Sequence, residues 1–375
     1  MSRFKQYFFS ISYALCAIPT YSWVTFIPGS TPFGIFPLML LLKKIKRQDL
    51  YFFIFFILIG MLNINDYYSI FELTKLAIGP LIYIFLRNLD LTLENFPLRP
   101  LFYMLLIFMI DAYFSGSFES FRGATFITKE PSHSSHAFYL ISFLIFLINP
   151  RYKNLLFFLG IFFLMTNKSS TSLLYLLSFT LVFYKGFFQK KLLMKIFFLA
   201  VLIAFLIFNE KIFLTDSSKT KYLSTIQSVK SLVKDEVDSI EILRAGGGRL
   251  IMSINAYVNS QPFFGYGIGS GDHIENLNLH NEEYRLDNFR FTDEQKLSTG
   301  SYFSQISFEV GWTWIILMSL YLLRSCNRNL ESYVILSLSF LQLFLLSSTT
   351  LASPWLLAGL VSNKNFSLVQ GIQDK

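Results

Sequence analysis

Apolar residues run along this chain in long blocks separated by short polar punctuation, with no period-two alternation inside the blocks. A bilayer-spanning helix takes roughly 20 mostly apolar residues, within a range of about 17–25. By that measure the pattern predicts helices near 7–27, 31–42, 50–65, 69–87, 100–114, 136–149, 154–166, 171–188, 192–209, 301–323, 331–347 and 350–362. The second and the last carry Pro, and several reach spanning length only if their ends extend into polar flanks. The expected fold class is therefore all-α and polytopic, with about twelve transmembrane helices. The missing alternation excludes a membrane β-barrel. Residues 1–209 would carry nine spans with short loops, one of them an outer loop at 115–135. Residues 210–300 would form one large outer loop, and 301–375 three more spans and a tail.

Composition sharpens this picture. Of 375 residues, 53% are hydrophobic and only 15% charged, and Phe alone counts 44. A soluble domain carries about 25% charged residues. Too little charge is present to cover a water-soluble surface, which excludes an ordinary cytosolic enzyme, a disordered chain and a nucleic-acid-binding domain. The net charge of +8 is mostly an orientation signal. With the N-terminus inside, 18 of the 32 Lys and Arg fall on cytoplasmic segments, among them Lys43, Lys44, Lys46, Arg47, Arg87, Arg324, Arg328 and Lys364. The short outer loops hold only Arg122, Lys129 and Lys168. That asymmetry follows the positive-inside rule. Both termini are expected in the cytoplasm. No small-residue cleavage site follows the first span, so a cleaved signal peptide is not expected. Cys16 and Cys326 would lie at different depths, so neither a disulfide nor a metal site is expected.

The polar residues carry the candidate chemistry. All four histidines, His133, His136, His273 and His280, fall on the outer side of this topology. The first outer group is Arg122-Gly123, followed by Lys129-Glu130-Pro131-Ser132-His133-Ser134-Ser135-His136 leading into a span. Ser132 would cap that helix, whose start favours an anion. Arg122 offers a guanidinium fork suited to phosphate oxygens. Glu130 would orient Arg122 or act as a base; the bland alternative is a polar lid with an ordinary cap. The second group, Thr166-Asn167-Lys168-Ser169-Ser170-Thr171-Ser172, is a short outer turn with one cation and several hydroxyls. Its alternative is a simple capped turn. The third opens with Arg244 and Gly246-Gly247-Gly248-Arg249 and continues to Pro262-Phe263-Phe264-Gly265-Tyr266-Gly267. Glycines let backbone approach a ligand closely. Arg249 at a helix start would seat a phosphate or diphosphate. Farther on, His280-Asn281-Glu282-Glu283 supplies a loop histidine beside carboxylates, a candidate general base. Within the spans, Glu72 and Lys75 are three apart and are expected to pair.

In order and spacing these groups resemble the O-antigen polymerase and O-antigen ligase superfamily of bacterial envelopes. The resemblance rests on Arg-Gly then Glu-Pro-Ser before a mid-chain span, and on the Thr166–Ser169 turn. It also rests on Gly248-Arg249 followed by Pro-Phe-Phe-Gly-Tyr-Gly, on His280-Asn281, and on Gln305 with Glu309-Val310-Gly311-Trp312. It covers about residues 50–350. In that family the His-Asn pair often directly precedes the Gln…Glu-x-Gly helix, whereas here that slot reads Gly300-Ser301.

The resemblance implies a glycosyltransferase that joins oligosaccharide repeat units on undecaprenyl diphosphate at the periplasmic face of the inner membrane. Arg249 and Arg122 would hold the diphosphate, with Lys168 and Arg244 in support. His280, or else Glu130 or His136, would take the proton of the attacking hydroxyl. His133, Gly265, Gly267, Asn281 and Glu309 would support them, Glu309 as a helix-end carboxylate holding Arg or His. Direct displacement would invert the anomeric carbon, and no metal or cofactor is called for. The implied partners are the lipid-linked oligosaccharide, membrane lipids and a chain-length regulator protein, with no nucleic acid. A ligase transferring the finished polymer to lipid A–core shares this chemistry. A lipid-linked oligosaccharide flippase or transporter would favour deep charges and two-fold repetition, and neither is clear here.

Overall fold

A computed structural model describes residues 3–17, 39–41, 44–64, 67–89, 96–117, 131–167, 170–184, 253, 256–270, 301–346 and 352–364. Every regular element among them is helical. In chain order these are α1 (Arg3–Ala17), α2 (Arg47–Leu62), α3 (Tyr67–Asn88), α4 (Arg99–Ser117), α5 (Pro131–Ile148), α6 (Lys153–Asn167) and α7 (Ser170–Phe183). They continue as α8 (Tyr302–Glu309), α9 (Trp312–Ser325), α10 (Leu330–Leu341) and α11 (Ser353–Ser362). The spans expected at 31–42 and 192–209 lie outside the described residues, apart from 39–41.

Two expected spans have a different form. The apolar run at 301–323 is two helices, α8 and α9, separated at Val310-Gly311. Gly311 takes a φ of 119° there, a left-handed conformation that a side chain disfavours. The run at 331–347 begins as α10 and then widens into a π-helical turn, Gln342–Leu346. The residues that follow Gly311 and those on both sides of Gln342 are apolar, so hydropathy alone gives no sign of either break. Among the described residues, the segment Ser69–Asn88 is long and apolar enough to cross a membrane. His133–Ile148, Thr171–Phe183, Glu331–Phe344 and Ser353–Ser362 are apolar but shorter. At 15 residues, α6 spans about 22 Å, short of a roughly 30 Å hydrocarbon core.

Local chemistry explains several helix ends. Ser301 caps α8 through a reciprocal capping box with Ser304. Asn329 accepts from Ser332 N at 2.8 Å to start α10. Pro131 opens α5, so Ser132 lies within the first turn and is not its cap.

Helix ends gather into two groups. At one, Lys46 N donates to Asn88 Oδ1 at 3.1 Å, tying the start of α2 to the end of α3. Arg87 pairs there with Asp49, and Tyr321 near the end of α9 donates to the same carboxylate. Asn363, just past α11, donates to Leu89 O at 2.9 Å. At the other group, Ile268 N donates to Asn63 O at 2.8 Å, while Ser69 Oγ donates to Ile268 O at 2.6 Å. The end of α2 and the start of α3 thus meet one loop. Trp312 N, opening α9, donates to Gln261 O at 3.1 Å in the same loop.

An apolar core is accompanied by strongly apolar outward faces on several helices. Leu50, Tyr51, Ile54, Phe55, Leu58 and Leu62 of α2 face outward. So do Tyr103, Leu106, Ile107 and Ile110 of α4, Leu155, Phe158 and Phe162 of α6, and Ile316, Leu317 and Leu320 of α9. The buried interior meanwhile holds Asp49, Glu72, His136, Asn167, Glu309 and Gln342. Glu72 pairs with Lys75 as expected, and the Lys75 ammonium also lies 4.6 Å from the Phe71 ring centre.

Candidate functional site

The site is built at the helix ends where α5, α6 and α7 meet the π-turn after α10. α5 is buried on all faces from Ser134 to Leu147, so Ser135, His136 and Tyr139 lie inside the bundle. His136 Nδ1 lies 2.8 Å from the Tyr175 hydroxyl of α7, and the two rings meet edge to face. Gln342 Nε2 donates to that hydroxyl at 2.8 Å, and Ser353 Oγ donates to Gln342 Oε1 at 3.1 Å. Four helices therefore contribute to one hydrogen-bonded chain. The π-turn begins at Gln342, and such turns recur at functional sites.

A second cluster lies one position away along α5. Asn167 Nδ2 donates to Ser135 Oγ at 2.6 Å, and Ser135 Oγ meets Ser172 Oγ at 2.7 Å. The first and second polar groups of the sequence are thus joined directly. His136 and Ser135 come from one, Asn167 and Ser172 from the other.

The third group is joined to the fifth. Tyr266 N donates to Phe308 O at 2.9 Å and Gly267 N to Glu309 O at 3.0 Å, so the Pro-Phe-Phe-Gly-Tyr-Gly stretch lies against the end of α8. A Cβ on Gly265 would overlap the Glu309 backbone, which requires glycine at this crossing. The Glu309 side chain is fully buried, and its Oε1 accepts from Gln305 at 3.0 Å. Its described partner is thus an amide one turn back.

These two assemblies meet at the π-turn. Tyr257 and Ser301 both donate to Phe344 O, at 2.8 and 2.7 Å. Phe344 is two residues from Gln342. Ser301 and Tyr257 thus hold the backbone of the π-turn whose first residue, Gln342, bonds the Tyr175 partner of His136. Ser301 caps α8 and also donates to the π-turn.

Chemically, His136 Nδ1 is engaged with Tyr175, so which of the two donates decides the tautomer of the ring. If Tyr175 donates to Nδ1, Nε2 carries the proton and His136 is an acid. If Nδ1–H donates to Tyr175, Nε2 is a base. The second arrangement, with Nε2 as a base, is the one that matches the sequence assignment of His136. His133 lies half-buried three residues earlier on α5. Tyr175, Gln342, Ser353 and Tyr257 were not singled out by the sequence. His280, Asn281, Glu130, Arg249, Arg244, Arg122 and Lys168 lie outside the described residues. Among the described residues, no cluster of three or more His, Cys, Asp or Glu could hold a metal ion.

No protein-family model, curated protein or solved structure matches this chain.

Proposed function

We propose that this chain is a polytopic inner-membrane glycosyltransferase of the O-antigen polymerase kind. It has about twelve spans, both termini in the cytoplasm and its active site facing the periplasm. It transfers a growing glycan from undecaprenyl diphosphate to a sugar hydroxyl on the next lipid-linked repeat unit. In that step the anomeric carbon–oxygen bond to the diphosphate breaks, a new glycosidic bond forms and the acceptor hydroxyl gives up its proton. Arg249 and Arg122, backed by Lys168 and Arg244, carry the charge that develops on the leaving diphosphate. His280, Glu130 or His136 takes the proton.

One observation carries this reading. Four segments that bear the resemblance, 133–136, 166–172, 262–267 and 305–312, are linked by hydrogen bonds or ring contacts to one end of the helix bundle. The apolar outward faces support membrane insertion, because soluble monomers rarely expose contiguous apolar patches larger than a few hundred Å².

Lipopolysaccharide gels from a deletion strain test the reading. Core bearing a single repeat unit is expected. Core with no repeat would assign the chain to a ligase or flippase instead. Arg249→Ala and Arg122→Ala should each lower chain extension about 10²–10³-fold, by analogy with loss of an oxyanion donor. Normal ladders in either variant would remove the diphosphate assignment.

A further inference from the structure

The opposite group of helix ends holds a feature that glycosyl transfer does not use. A cavity of about 770 Å³ opens there, lined by Lys44, Lys46, Arg47, Arg87 and Lys364 together with Asn88. Its cations come from three separate parts of the chain. Only one of the five has a described anionic partner: Arg87 pairs with the fully buried Asp49, which also accepts from Asn88 Nδ2 at 2.6 Å. That pairing fixes one wall and leaves the others to solvent. The Lys46 ammonium is held below the usual lysine value, first by partial burial and then by Arg87 and Lys364, against the opposing pull of Asp49. The net field in the cavity is positive.

Two further observations specify what would fill it. The first turn of α2 opens beside the cavity, and the Lys46 side chain makes no cap hydrogen bond to it. Asp49 N and Leu50 N donate to Lys46 O, so the Arg47 and Gln48 N–H groups and the helix dipole add to the attraction for an anion, partly offset by the Asp49 carboxylate in the same turn. Below Arg47 at helical spacing runs an exposed apolar stripe of Leu50, Tyr51, Ile54, Leu58 and Leu62. A cationic cup above an exposed apolar rail matches an amphiphile with an anionic head.

We propose that this cavity binds the phosphate of an anionic phospholipid headgroup, with the acyl chains lying along α2. The headgroup level and the cytoplasmic side rest on the topology given under Proposed function. The phosphate chemistry rests on the cavity alone. Basic pockets between helices on the cytoplasmic side are suited to such headgroups.

The test uses the full-length protein in detergent, titrated with dioctanoyl phosphatidylglycerol, dioctanoyl phosphatidylcholine and inorganic phosphate, with melting temperature and native mass spectrometry as readouts. Phosphatidylglycerol should raise the melting temperature and form a retained adduct, while phosphatidylcholine should do neither. The triple variant K44Q/K46Q/K364Q should bind phosphatidylglycerol about 100-fold more weakly, at roughly fivefold per charge. Lys44→Gln and Lys364→Gln alone should each weaken it about fivefold, and they keep the question answerable if the triple variant fails to fold. Equal binding of phosphatidylglycerol by wild type and both single variants overturns the site. Inorganic phosphate that stabilises as well as the lipid at equal concentration overturns the lipid assignment. None of these readouts depends on orientation or on chain extension. A ladder phenotype that contradicts the polymerase reading would therefore leave this result standing, and the reverse holds too.

Discussion

The Tyr175 hydroxyl sits between a histidine, an amide and, through that amide, a serine, all within the bundle. A buried hydroxyl with two described partners is costly to remove, because each partner left unsatisfied loses about 1–3 kcal/mol. If its task is to orient His136 for proton transfer, Tyr175→Phe should lower chain extension about tenfold, and His136→Gln should lower it about 10²–10⁴-fold. The double variant should then be no worse than His136→Gln alone, since the tyrosine acts through the histidine. Additive losses in a reconstituted extension assay would make Tyr175 a packing residue. Cys326, in the turn after α9, gives a second prediction. Burial pushes its thiol up to about 12. At pH 8 only roughly one thiol in ten thousand is then the reactive thiolate, against about one in four for a free cysteine. Iodoacetamide should therefore modify Cys326 thousands of times more slowly than a free thiol, and rapid labelling would show the turn to be open. The histidines and the Asn167–Ser172 turn were visible in the sequence because polar residues stand out in apolar runs. Tyr175, Gln342 and Ser353 were not. An isolated polar residue in a span announces a buried partner but does not say which of the other spans supplies it.

Elements show the same division between what pattern reveals and what it hides. Long apolar runs located α2 to α7 to within about five residues at their ends. The broken helix at Gly311 was hidden, because hydropathy does not sense φ, and the glycine that permits the break looks like any other. Its consequence is testable. Gly311 carries a left-handed φ, and a Cβ there would meet the Phe263 carbonyl at 2.9 Å. Gly311→Ala should cost about 1–3 kcal/mol from backbone conformation alone, and more if Phe263 cannot move. Gly265→Ala should do comparable damage, since its Cβ would overlap the Glu309 backbone. Both should lower the SDS midpoint of unfolding and loosen the glycine-rich loop from α8. Wild-type midpoints in both would mean that the loop and the helix break do not pack as described. Elsewhere small residues act through proximity: a methyl on Gly79 of α3 would overlap the Trp355 indole of α11. Such close approach suits helices that pack by van der Waals contact without help from water.

At the scale of the whole molecule, the decisive quantity is which helix ends share a side. The charge asymmetry of the sequence assigns Lys44, Lys46, Arg47, Arg87 and Lys364 to one side of the proposed membrane topology, and these residues line one cavity. Phe263 belongs to the opposite group of ends, beside the start of α9, and is 72% exposed. If the helices cross a bilayer, these two groups face different compartments. Both native cysteines are buried, so a cysteine added at an exposed position should dominate labelling. With a membrane-impermeant maleimide, Phe263→Cys should label once the outer membrane is breached while the inner membrane remains sealed. Lys364→Cys and Lys44→Cys should label only after the inner membrane is opened. Labelling of all three in sealed cells would put the helix ends in one aqueous phase. The apolar outward faces of α2, α4, α6 and α9 would then need a protein partner rather than lipid to cover them. Labelling of Lys364→Cys but not Phe263→Cys would keep the bilayer and invert the chain, placing the His136 network in the cytosol, where a periplasmic glycan could not reach it.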